Sequence, residues 1–115
     1  MTPVKVSKFF VTAINRTKSG ELSWSRISVS DGRHFASFDS ERSFSAKYGS
    51  GKIVLLQDDT DDIVNCWIKA DKDLSYQQIG DDNDPNLRRL YNIVYSQFPS
   101  VESFIDAFIN GSPIE

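Results

Sequence analysis

From Ser43 to Lys69 three stretches of strand length are separated by two runs of turn residues, which leaves few folds open to the chain. Phe44, Ala46 and Tyr48 alternate with Ser43, Ser45 and Lys47, the period of a strand with one buried face. Gly49-Ser50-Gly51 supplies a turn and Lys52 to Gln57 the returning strand. Asp58-Asp59-Thr60-Asp61-Asp62 is a second turn, and Ile63 to Lys69 follows as a further strand. Strands joined this closely pair antiparallel, because a parallel return needs a crossover of about a dozen residues. The pattern also predicts strands over Glu21–Ile27, with Leu22 and Trp24 on one face, and over His34–Phe38, with Ser30-Asp31-Gly32-Arg33 as a turn between them. The expectation is a meander of about four to five strands across residues 22–70.

Helical periodicity flanks this region. Val6, Phe9, Phe10, Ala13, Ile14 and Thr17 fall on one stripe, with Pro3 in the first turn and a cationic end at Lys18 followed by Gly20. Near the other end, Asp84-Pro85 reads as a cap followed by proline at the first helical position. Leu87, Leu90, Tyr91, Val94 and Phe98 form the next stripe, which Pro99 stops. Ser100 can cap a last helix whose apolar face is Val101, Phe104, Ile105, Phe108 and Ile109, with Asn110-Gly111 closing it. The fold class is therefore α+β: an N-terminal helix, an antiparallel meander, and two C-terminal helices packed on the sheet. A chain of 115 residues without a long linker is expected to form one domain spanning 1–115.

Cys66 is the single cysteine, so neither an internal disulfide nor a multi-cysteine zinc site can form. It lies in the apolar run Val64-Asn65-Cys66-Trp67-Ile68 and reads as a small buried hydrophobe. With no signal-like segment after Met1 and no apolar run approaching the ~20 residues of a membrane span, a cytoplasmic protein off the membrane is expected.

Charge is unevenly placed along the chain. Residues 1–57 carry nine Lys/Arg against four Asp/Glu and residues 58–115 four against twelve, so +5 and −8 stand inside a net −3. Such asymmetry marks an electrostatic face if the halves separate in space, and dissolves if they interleave. The acidic balance weighs against nucleic acid, while a strand face with Trp24, Tyr48 and Trp67 beside Arg26, Lys47 and Lys69 offers a local base-stacking platform.

Motifs for chemistry fail on inspection. Gly49-Ser50-Gly51-Lys52 lacks the P-loop's leading glycine, has Ile53 where Ser or Thr belongs, and runs into a strand. Read as a calcium loop from Asp71, the chain puts Tyr76 at the glycine position and Asp82 where glutamate belongs. The sole histidine, His34, sits beside a turn without a partner motif, and no nucleophile elbow occurs. No catalytic residue, metal ligand or cofactor is assigned. The turn at Asp58, Asp59, Asp61 and Asp62 carries more carboxylates than turn chemistry needs, so these four are the candidate residues for binding a basic protein partner.

The order of Thr17-Lys18-Ser19-Gly20-Glu21-Leu22-Ser23-Trp24 near the start, and of Leu90-Tyr91-Asn92-Ile93-Val94-Tyr95-Ser96-Gln97-Phe98-Pro99-Ser100 followed by Phe104-Ile105 near the end, resembles small uncharacterised bacterial or mobile-element (phage) accessory proteins. That resemblance implies a bacterial or phage origin and brings no residue-level role. The combined expectation is a non-enzymatic interaction or regulatory accessory protein acting through a charged surface. Its alternatives are a nucleic-acid-associated regulator using the basic first half and a small carboxylate-based enzyme. Homo-oligomerisation is left open.

Overall fold

The computed structural model describes residues 2–99 and 101–111, with the side chains of residues 102 and 103 outside the description. Helix α1 spans Pro3–Ser19 and is closed at both ends by its own sequence. The Thr2 hydroxyl accepts from the Lys5 N–H, and Gly20 takes a left-handed φ of 84° that lets its N–H reach the Thr17 carbonyl. The strands are β1 (Trp24–Arg26), β2 (Phe44–Tyr48), β3 (Gly51–Gln57), β4 (Val64–Lys69) and β5 (Gln77–Ile79), with the short helix α2 (Val29–Gly32) between the first two. They form one sheet in the order β1-β2-β3-β4-β5, every neighbour antiparallel. Helices α3 (Pro85–Tyr95) and α4 (Val101–Ile109) follow. The meander between flanking helices is thus as the residue pattern predicts.

The register sorts the sheet into two faces. Phe44, Leu55, Cys66 and Ile79 stand side by side across four strands and are all buried, with Ala46, Ile53 and Ile68 in the next row. On this face lie α1, through Phe10, Ala13 and Ile14, and α3, through Leu87, Leu90, Tyr91 and Val94. Phe98 stacks on Phe44 with ring centroids 4.6 Å apart. The Tyr91 hydroxyl donates to the Arg42 carbonyl at 2.7 Å, so the largest polar atom of the α3 stripe is satisfied. Likewise the Thr17 hydroxyl donates to the Ala13 carbonyl and accepts from the Trp24 indole at 3.0 Å.

The second face has its own cover. Val54 and Leu56 point away from the helices and are still buried. The segment between β1 and β2 lies over this side: the Phe35 ring packs 5.4 Å from Trp67 and 5.0 Å from Tyr76. His34–Phe38 is therefore not a strand. Its backbone turns back on itself, His34 N–H to the Asp31 carbonyl and Phe35 N–H to the Gly32 carbonyl, and two of its rings, Phe35 and Phe38, pack edge to face. The fifth strand is instead Gln77–Ile79, an edge strand with one buried residue. Ser30-Asp31-Gly32-Arg33, expected as a turn, lies largely within the single helical turn of α2, which Ser28 caps. Helix α3 ends at Tyr95, four residues ahead of the proline expected to stop it. The expected cap of α4, Ser100, lies outside the described residues.

One expectation about packing is corrected. Helix α3 packs on the sheet, but α4 does not bury its apolar stripe: Val101, Phe104, Ile105, Phe108 and Ile109 are all exposed. No helix among the described residues is long and apolar enough to cross a membrane.

Candidate interaction surfaces

The acidic turn sits where the sequence places it, at the tip joining β3 to β4, and its four aspartates divide into two kinds. Asp58 builds the turn: its carboxylate accepts from the Asp61 N–H at 3.0 Å and from the Thr60 hydroxyl at 2.9 Å. Those bonds, the Asp61 one foremost, hold its pKa below the ordinary carboxylate value. Asp62 ties the turn to α3, since Arg88 donates to its carboxylate at 3.2 Å and to its carbonyl at 2.9 Å. Asp59 and Asp61 are exposed, and neither carboxylate makes a hydrogen bond or ion pair among the described residues. Half of the apparent excess of charge is therefore structural.

The basic residues do not segregate by half of the chain. Lys47, Lys52 and Lys69 face one another in a single row across β2, β3 and β4, so two residues of the first half stand beside one of the second. Like charges directly opposite on neighbouring strands repel, and each of two lysines in this row has found a relief. Lys52 donates to both oxygens of the buried Asp31, at 2.7 and 3.0 Å. The Lys69 ammonium lies 5.0 Å from the centre of the Tyr76 ring. A groove shared by Lys47, Lys52, Lys69 and Lys72 runs over this end of the sheet. Asp71 and Asp73 flank Lys72 in the sequence and temper its charge.

Asp31 is the most enclosed carboxylate among the described residues, and sequence reasoning passed it over as a turn residue. Burial alone would raise its pKa. Hydrogen bonds from Lys52 and Ser28, the Lys52 charge and the Tyr76 hydroxyl outweigh that and hold it below the ordinary value. In return Tyr76 is pushed up to about 12, first by burial and then by the Asp31 charge. Every strong partner of Asp31 is internal, so this is a clamp holding the 27–42 segment to the sheet. One side of Asp31 lines a cleft of about 380 Å³ together with Ser28, Ser45, Lys47 and Lys52.

The remaining sequence candidates resolve simply. Cys66 is fully buried, and burial pushes its thiol pKa up, away from the thiolate. His34 is exposed beside the Tyr76 ring at 5.4 Å. The proposed stacking platform is split between faces. Trp24, Arg26 and Tyr48 belong to the helix side, whereas Lys47, Trp67 and Lys69 belong to the other, where Phe35 covers Trp67. A cleft of about 330 Å³ opens between α1 and the sheet, walled by Phe9, Ala13, Leu22, Ile53 and Ile68. Arg16 stands at its side, donating to the Tyr48 hydroxyl at 2.8 Å and lying 3.8 Å from Glu21.

The feature sequence reasoning missed is the openness of α4. Its five large apolar residues are 77, 59, 49, 77 and 73% exposed in chain order from Val101 to Ile109. The Phe104 and Phe108 rings stack at 6.4 Å and 19°, forming one flat plate. At the foot of the helix a cleft of about 440 Å³ is lined by Tyr95, Phe98, Pro99 and Val101, with Arg26, Glu41 and Arg42 on its polar side. The helix has no lysine or arginine of its own, while Asp106 is exposed on its flank.

No family model, curated protein or solved structure matches the chain.

Proposed function

We propose that the protein is a non-enzymatic interaction protein, an accessory or regulatory module of the bacterial or phage kind, that docks a protein partner through α4. The observation that carries this reading is the apolar face of α4, open along its whole length on a molecule whose other amphipathic helices are covered. Exposed apolar patches on soluble monomers rarely exceed a few hundred Å², and larger ones mark contact surfaces. The charged surface acts beside it: Asp59 and Asp61, unbonded at the turn, steer association without adding much affinity. The Lys52 ion pair that holds Asp31 ionised supports a structural role for it over that of a general base.

The test is site-specific photo-crosslinking in the native cell. A photoreactive phenylalanine analogue at position 108 is expected to capture a protein, and the same probe at Val29, equally exposed but on α2, to capture none. Equal yields at both positions would sink the reading.

A second reading, association with nucleic acid, is favoured by the lysine row. Lys47 has no hydrogen bond or ion pair among the described residues, and it lines one groove with Lys52, Lys69 and Lys72, where a polyanion would meet several cations. On this reading binding of single-stranded RNA or DNA weakens steeply with salt, and Lys47→Ala lowers the slope by about one phosphate contact. No salt-dependent binding at low ionic strength would remove it.

A further inference from the structure

Resting on α4 as the docking element, we infer that its occupant is a second copy of this chain, the two α4 helices packing antiparallel about a two-fold axis. Nine residues are too few for a helix to persist alone, since isolated helices below ~12–15 residues are marginal in water. Helix α4 therefore needs cover whenever the protein is folded, and another copy is the one partner always present at its own concentration. The exposed fractions of the five residues correspond to roughly 600 Å² of apolar surface per copy, so a contact that covered all of it would bury about 1,200 Å², the lower bound of specific interfaces.

The face is also self-complementary. A two-fold axis at Ile105 opposes Val101 of one copy to Ile109 of the other and lays the Phe104–Phe108 plate against its counterpart. The copy's Phe108 and Ile109 then arrive at the foot of α4, where the 440 Å³ cleft between Tyr95, Phe98 and Pro99 is open to receive them. Arg26, Glu41 and Arg42 form the polar rim of that cleft, Arg26 held by the Glu41 and Pro99 carbonyls and Arg42 beside Asp39. Antiparallel helices also set opposite dipole ends side by side. Such an isologous contact closes at two copies and leaves no surface for a fibre.

Sedimentation velocity of the full chain from about 1 to 100 µM is expected to show a dimer whose dissociation constant weakens at least ~100-fold in Phe104→Asp/Phe108→Asp. Far-ultraviolet circular dichroism and melting of that variant should stay close to the parent measured as monomer, because both side chains lie outside the core. Ile105→Cys, on the axis, should form an intermolecular disulfide on mild oxidation while Val29→Cys does not, Cys66 staying buried. A monomer at 100 µM overturns the inference, as does a dimer that survives the double substitution. Either result, combined with capture of another protein from position 108, leaves the docking reading standing. A monomer with no capture overturns both.

Discussion

Helices α3 and α4 carry the same kind of stripe, spaced at three and four residues, within one 25-residue stretch of chain. In α3 the residues Leu87, Leu90, Tyr91 and Val94 are sealed against Phe44 and its neighbours. In α4 the matching residues meet solvent. An amphipathic period states that a face needs cover and says nothing of where the cover comes from. For α3 it comes from the same chain, because the helix follows β5 closely and its cap, Asp84, accepting from the Asn86 N–H, aims it across the sheet beside α1. For α4 the sheet is already occupied.

The contrast is broken most directly by truncation. Leu90→Ala removes a fully buried side chain and is expected to cost about 3–4 kcal/mol in chemical denaturation. Phe104→Ala, measured on dilute monomer, should cost under about 0.5 kcal/mol. Comparable losses at both positions would mean that α4 belongs to the core after all.

Two glycines sharpen it at the backbone. Gly80 and Gly111 both hold left-handed φ, at 74° and 71°. A β-carbon on Gly80 would lie 2.8 Å from the Phe10 ring, whereas one on Gly111 meets open space. Gly80→Ala should therefore cost about 2–3 kcal/mol, backbone strain and a collision together. Gly111→Ala should carry the strain alone and fray α4 without lowering the main melting transition. Amide exchange distinguishes local from global loosening.

The loop-covered face of the sheet uses a third means of cover, an ion pair. Because the folded-state pKa of Asp31 lies below its unfolded value, the clamp's contribution is fully present above about pH 4 and disappears as pH falls through the folded value. Asp31→Asn should lower stability at pH 7 by about 1–2 kcal/mol and flatten the acid limb of a stability–pH profile. An unchanged acid limb would assign that pH dependence to other carboxylates. The smallest effect belongs to Asp59→Asn/Asp61→Asn. Neither carboxylate has an internal bond, so stability should move by less than about 0.5 kcal/mol while association with a basic partner slows and loses salt dependence.

What could be read in advance follows from how many residues carry each signal. Strands β2, β3 and β4 were legible because apolar stretches of strand length and turn chemistry agree over 27 consecutive residues, 43–69. Helices α1 and α3 were legible because caps reinforce their stripes. His34–Phe38 resembled a short strand because it is rich in aromatic residues and follows a turn signal, yet the task of its rings is to cover the sheet. The clue lay elsewhere, in Ile53-Val54-Leu55-Leu56, a run without alternation that requires both faces of β3 to be buried. Gln77–Ile79 was silent because an exposed edge strand of three residues needs hardly any apolar character. At the acidic turn the composition was legible and the division of labour was not, since the Arg88–Asp62 contact joins residues 26 apart in the chain.

Cys66 sits at the middle of the sheet, between Leu55 and Ile79, with no exposed surface. A thiol so placed is a clock. Its side chain lies on the face that α1 and α3 cover, so reagent in the surrounding water can meet it only while the strands and the helices over them have parted, and its raised pKa disfavours the reactive thiolate at all other times. The rate of its modification therefore counts openings of the central strands. The protein thus reports its own breathing from a single native atom far from any added label.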